Sequence, residues 1–130
     1  MKIFAFVLAV FFAVSSQADD LKLAQKTWSQ YRECGTATTE KKFDACLSQV
    51  LMPQLDVLVR EKFSEFLLMK FRFADLYQCT GTDTVLPTIP KKNDIYYCMA
   101  VLGNHQRVQG YATFEKYKDE LRLTSIRYAF

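Results

Sequence analysis

Four cysteines restrict the fold of this chain more than any other feature of its 130 residues. An even number of cysteines in a small exported domain is typical of disulfide bonds, and four cysteines allow three pairings. We expect the two pairings that are local in sequence, Cys34–Cys46 and Cys79–Cys98. Each bond would close a loop of roughly twelve to twenty residues, for which the chain-entropy model gives roughly 3 kcal/mol of stabilisation.

A metal site is the competing use of four cysteines. No two of them have the C-x-x-C spacing of zinc sites, and His105 is the only histidine of the chain. The sequence therefore favours disulfide bonds, and we expect neither a metal nor another cofactor.

The first eighteen residues have the features of a leader peptide that is removed on export. Lys2 supplies a positive start, residues 3–14 form an apolar run, and the small residues Ser16 and Ala18 precede a cut after residue 18. The run is shorter than the ~20 residues of a membrane-spanning helix, which is the alternative interpretation. We therefore expect residues 1–18 to be a signal peptide and residues 19–130 to form one domain. The mature protein would be secreted or periplasmic, with no membrane segment left.

The charge of the chain is nearly balanced. Its formal net charge is +3, and removal of Lys2 with the leader lowers this charge to +2. Proteins that bind nucleic acid or an anionic membrane surface need a much larger excess of lysine and arginine. We therefore expect neither as the partner.

The first half of the mature chain has the apolar period of amphipathic helices. The residues that follow this period are Leu21, Ala24, Trp28 and Tyr31 in a first helix, Phe43, Cys46, Leu47 and Val50 in a second, and Leu55, Leu58, Val59, Lys62, Phe63, Phe66 and Leu67 in a third. Gly35 is well placed to end the first helix, and Thr39 to cap the second. Pro53 suits the first turn of the third helix.

The second half of the chain alternates between apolar and polar residues, which is typical of strands. Residues 69–73 favour a strand, with a helix that continues to residue 77 as the alternative, and residues 80–94 have the composition of a loop. Strands are predicted at residues 95–102, 106–117 and 121–130. The parity of the apolar residues in the last strand changes near Thr124, which a β-bulge explains. The fold class is therefore α+β, with N-terminal helices packed on a C-terminal antiparallel sheet of three to four strands.

The stretch "HQRVQG" contains the spacing Q-x-V-x-G, formed by Gln106, Val108 and Gly110. This spacing resembles the wedge with which the cystatins block papain-like proteases. The resemblance implies a secreted inhibitor that contacts its target through these three residues. The turn dipeptide at Gly103 precedes the motif, so alternation places the three residues in a strand.

The ending "YATFEKYKDELRLTSIRYAF" resembles the closing hairpin of nuclear-transport-factor-like domains, which share the cystatin-like superfold. The matching positions are Phe114, Lys116, Asp119, Leu121, Leu123, Ile126 and Tyr128. This resemblance implies a helix wrapped by a curved antiparallel sheet. It covers more of the chain than the wedge motif. Members of this family include enzymes and binding modules, so the fold leaves the function open.

Residues with catalytic potential are few. His105 follows a turn signal, and no serine, cysteine or carboxylate is placed by sequence to complete a catalytic set with it. Glu61 and Glu65 are four residues apart, a spacing that is most typical of a solvated helix face. The chain has no glycine-rich phosphate loop, Gly-x-Ser-x-Gly elbow or His-Glu-x-x-His motif. We therefore do not expect an enzyme, although a small hydrolase is the third class of function that the fold admits.

A sheet surface rich in tyrosine is the better candidate for function, because a ring with a hydroxyl suits a small ligand or a peptide. The predicted contact residues are Tyr97, Gln106, Val108, Gly110, Tyr111 and Phe114. The partner would be a protein or a small apolar molecule. The alternative function is inhibition of a protease or another hydrolase, of the cystatin or immunity-protein kind.

The leader and the disulfides are tested together by an intact-mass measurement on protein from the exported fraction. We expect a chain that starts at Asp19 and that reacts with a thiol reagent only after reduction. Retention of Met1, or four thiols that react without a reductant, would contradict the expected compartment.

Overall fold

The computed structural model describes residues 19–69, 74–79, 95–101 and 109–129. In these ranges three helices are followed by one four-stranded antiparallel sheet, which confirms the α+β prediction. Helix α1 covers residues 19–33 and leads into a 3-10 turn at Cys34–Thr36, α2 is Glu40–Val50, and α3 is Val57–Leu68. The strands are β1 (Ala74–Tyr77), β2 (Ile95–Val101), β3 (Gln109–Tyr117) and β4 (Glu120–Ala129), in the spatial order β1-β2-β3-β4.

The capping prediction for α2 is confirmed, and the predicted start of α3 is wrong. The Thr39 hydroxyl accepts a hydrogen bond of 3.2 Å from the Lys42 backbone N–H at the first turn of α2. Helix α3 begins at Val57, four residues after Pro53, which lies in a turn. The reason is tertiary, because Leu51 forms a parallel bridge to Leu123 and the backbone before Pro53 is therefore extended.

The β3–β4 hairpin contains the predicted bulge. Thr113 lies opposite Ser125 and Phe114 lies opposite Leu123, so Thr124 is an extra residue in β4. The bulge reverses the parity of β4, and Leu121, Leu123 and Ile126 are all buried as a result.

Helix α1 is bonded to both outer strands of the described sheet. The Trp28 indole N–H donates to the Ala74 carbonyl of β1 at 2.7 Å, and the neighbouring Thr27 hydroxyl donates to the Leu121 carbonyl of β4. Gln25 also donates to β1, at the Leu76 carbonyl. Because consecutive residues of one helix reach opposite edges of the sheet, the four strands curve around α1.

An aromatic cluster joins α1 to α3. The rings of Trp28 and Tyr31 lie 5.2 Å apart, and the ring of Phe63 meets that of Tyr31 edge to face at 5.5 Å. The Tyr31 hydroxyl donates to the Phe63 carbonyl at 2.6 Å. Burial, and secondarily Tyr128, raises the pKa of Tyr31, so this hydroxyl stays protonated as a donor.

Both predicted disulfides are present. The Cα atoms of Cys34 and Cys46 lie 5.5 Å apart, and this bond joins the end of α1 to α2. The Cα atoms of Cys79 and Cys98 lie 5.0 Å apart, and this bond joins the chain after β1 to β2. The sequence-local pairing is therefore correct, and no cysteine is free.

Some expectations fall partly or wholly on residues that the structure does not describe. Between residues 68 and 77 the chain forms a strand at Ala74–Tyr77, whereas residues 70–73 lie outside the described ranges. The loop at residues 80–94, the turn at Gly103 and the histidine His105 also lie outside them.

The bond between α1 and β4 can be tested with Thr27→Val. This change keeps the shape of a buried side chain but removes its donor to the Leu121 carbonyl. We expect a loss of about 1–2 kcal/mol in the free energy of unfolding, measured by chemical denaturation. Thr36→Val is the matched control, since its hydroxyl bonds the Glu33 carbonyl at the exposed surface. An equal loss in both variants would contradict a role for Thr27 in holding the sheet to α1.

Candidate functional site

The aromatic residues predicted for the contact surface lie on two different faces of the sheet. Tyr97 and Phe114 face the helices, are 4% and 0% exposed, and meet edge to face with their ring centroids 6.0 Å apart. Burial raises the pKa of Tyr97, and Asp20 contributes a smaller effect in the same direction. Tyr111 pairs with Cys98 and Arg127 on the opposite face, where it is 8% exposed.

Glycine at position 110 of the Q-x-V-x-G motif has a packing reason. Gly110 lies in β3 opposite Met99 and Tyr128, and a Cβ atom there would lie 2.8 Å from the Arg127 carbonyl oxygen. Gln106 and Val108 lie outside the described residues. The four predicted contact residues that the structure describes, Tyr97, Gly110, Tyr111 and Phe114, therefore do not share one accessible surface.

A cleft of about 300 Å³ lies between α3 and the segment that leads from the 3-10 turn into α2. Its walls are mainly apolar, with Phe43 on α2 facing Leu67 and Leu68 on α3. The wall beside the Cys34–Cys46 bond is formed by Gly35 and Ala37 together with the polar residues Thr38, Thr39 and Glu40. The hydroxyl of Ser64 at this cleft donates to a carbonyl within its own helix.

Large exposed apolar side chains cluster at the two ends of α3. Val57 and Leu58 at its start are 66% and 71% exposed, and Leu68 and Met69 at its end are 88% and 37% exposed. The sequence stripe had included Leu58 in the buried face, and this assignment is wrong. Leu68 was missed, although two consecutive leucines at 67 and 68 are a usable signal. Phe66 and Leu67 are both buried, so Leu68 is the third apolar residue in a row, and three consecutive residues spread over more of the helix circumference than one buried stripe covers.

Two further clefts contain polar groups that bond one another, and the first of them is also walled by Met52, Leu55 and Val59. Near the bulge, the Thr113 hydroxyl lies 2.7 Å from that of Thr124 and also bonds Ser125, in a cleft of about 440 Å³. Beside β1, Arg32 forms an ion pair of 2.9 Å with Asp75 in a cleft of about 380 Å³. The apolar cleft at Leu68 is therefore the stronger candidate for a binding site.

Acidic groups do not converge in the part of the chain that the structure covers. Glu61 and Glu65 are exposed on α3, as expected for a solvated helix face. No cluster of three or more metal-binding side chains occurs among the described residues. None of the helices described there has the length and apolar character needed to cross a membrane.

No protein-family model matches this chain. Comparisons with curated proteins and with solved structures also give no match. The two resemblances noted in the sequence therefore stay predictions, and the candidate site rests on geometry and chemistry.

The variant Gly110→Ala tests whether Gly110 is needed for packing of the sheet. We expect the free energy of unfolding to fall by about 1–3 kcal/mol, because the new Cβ meets backbone at the Arg127 carbonyl. Gly35→Ala is the matched control, since its Cβ meets Leu67 at an ordinary 3.8 Å. Thermal unfolding of both variants gives the comparison, and unchanged stability of Gly110→Ala would rule out the packing role.

Proposed function

We propose that this protein is an exported, disulfide-bonded binding protein that receives an apolar group in the cleft beside α3. The group belongs to a small apolar molecule or to a protein partner. The observation that carries the proposal is the exposure of Leu68 at the rim of a cleft walled by Phe43 and Leu67.

The size and lining of the cleft support this function. Ligand sites have volumes of about 300–1,000 Å³ and are lined mainly by apolar side chains with a few polar groups. The cleft is at the lower end of that range, which suits one apolar side chain or a small aromatic molecule. Covering a side chain such as Leu68 contributes about 1.5–3 kcal/mol.

The walls of the cleft are held in place before anything binds. Cys34 is buried and bonded to Cys46, and the Thr39 hydroxyl caps α2. On the other side Leu67 is anchored in the core with Phe63 and Phe66 of the same helix. Binding to a preformed site avoids much of the loss of conformational freedom that otherwise opposes association.

The two disulfides support the export part of the proposal. Structural disulfide bonds persist outside the reducing cytosol, and here both bonds join separate elements of the fold. This agrees with the leader-like residues 1–18.

A neutral fluorescent probe, N-phenyl-1-naphthylamine, tests the cleft directly. We expect saturable binding that Leu68→Ser weakens by about tenfold, because the rim loses the apolar area of one leucine. Val57→Ser is the matched control, since Val57 is exposed on the same helix but is not part of the cleft. Fluorescence titration gives the affinities. Equal affinity in wild type and Leu68→Ser would contradict the proposed site.

A pull-down from the native exported fraction then identifies the partner. Capture should be lost with Leu68→Ser and kept with Val57→Ser. Capture that is unchanged in both variants places the contact elsewhere on the protein.

A further inference from the structure

Four exposed residues form a stripe on the outward side of α3. The sequence of residue types along this stripe is complementary to the same sequence in the opposite direction. Leu58, Lys62 and Glu65 are spaced by four and three residues, so they lie along one side of α3, and Met69 follows four residues after Glu65 as the C-cap residue directly after the helix. All four are exposed, and their order is apolar, cationic, anionic, apolar. Against an antiparallel copy of itself, this stripe sets apolar residues beside apolar residues and cations beside anions.

We infer that two copies of this chain associate through an antiparallel pairing of their α3 helices. The two-fold axis lies beside α3 at the level of Phe63 and Ser64, which is the middle of the stripe along the helix. Leu58 of each copy then lies against Met69 of the other, and Lys62 lies against Glu65. Every contact occurs twice, as an interface between identical surfaces requires.

The remaining charges on α3 do not oppose this pairing. The helix carries Arg60 and Lys62 against Glu61 and Glu65, so its formal charge is balanced. Two such helices therefore meet without net repulsion. Exposed ion pairs fix orientation and register more than they add affinity, and the apolar ends supply the attraction.

A second copy fits this stripe better than an unrelated surface does. A membrane surface is a poor match, since the middle of the stripe holds both a cation and an anion and the helix has no basic excess. A self-complementary order of this kind is matched, residue by residue, by the same helix in a second molecule.

The interface is small, and this sets its strength. A single pair of four-residue stripes buries less than the roughly 1,200 Å² of total area that stable complexes reach. The dimer is therefore a weak one that forms as concentration rises. None of the four stripe residues lines the apolar cleft at Phe43 and Leu67, so the inference does not rest on the proposed function.

Two variants, each with one reversed charge, test the helix pairing when they are measured alone and as a mixture. Sedimentation velocity of the purified protein from roughly 10 μM to 1 mM should show a concentration-dependent dimer. Lys62→Glu and Glu65→Lys should each weaken it about tenfold, because each change sets like charges against each other at both ends of the axis. An equimolar mixture of the two variants should dimerise again, since all opposing charges then differ in sign.

The mixture distinguishes a weakened interface from damage to the fold. A folding defect in either variant would persist on mixing, whereas a broken charge match is repaired by it. Leu58→Ser should also weaken the dimer, and high salt should reduce the difference between wild type and the two reversed variants. A wild-type protein that sediments as a monomer at every concentration overturns the inference. The inference is also overturned if the dimer persists unchanged in both reversed variants, or if their mixture stays monomeric.

Discussion

The hydrogen bonds from α1 to the two outer strands are the constraint on which the rest of the fold depends. An edge strand exposes carbonyl groups that invite pairing with other chains. Here Trp28 bonds the Ala74 carbonyl on β1, and Thr27 bonds the Leu121 carbonyl on β4. The two donors are neighbours in sequence, so the sheet must curve until both edges reach the same turn of α1. This curvature gives the sheet an inner face, occupied by the helices, and an outer face.

That curvature explains why sequence patterns predicted the elements better than the site. The stripe that includes Ala24, Trp28 and Tyr31, the local pairing of the cysteines and the bulge at Thr124 are properties of short segments, and each was predicted correctly. The accessible surface depends on how those segments pack. Tyr97 and Phe114 alternate correctly along their strands, but they face inward because the inner face is the one that α1 fills.

The errors on α3 have the same origin. Its predicted start at Pro53 ignored the extended bridge between Leu51 and Leu123, which is a contact between residues far apart in sequence. Periodicity also placed Leu58 in the buried stripe, because an apolar residue at helical spacing is indistinguishable from a core residue until the neighbouring elements are known. The burial of Phe63, Phe66 and Leu67 shows which side of the helix the core takes.

The core contacts of α3 fix its orientation, and this orientation leaves the apolar residues at its two ends exposed. A rotation of α3 that buried Leu58 or Leu68 would bring Phe63 and Phe66 toward solvent. It would break the contact of Phe66 with Trp28 at 5.6 Å and the bond from Tyr31 to the Phe63 carbonyl. Fully burying a phenylalanine contributes about as much as burying a leucine, and the hydrogen bond adds about 1 kcal/mol. The helix therefore cannot relieve its exposed apolar ends by turning.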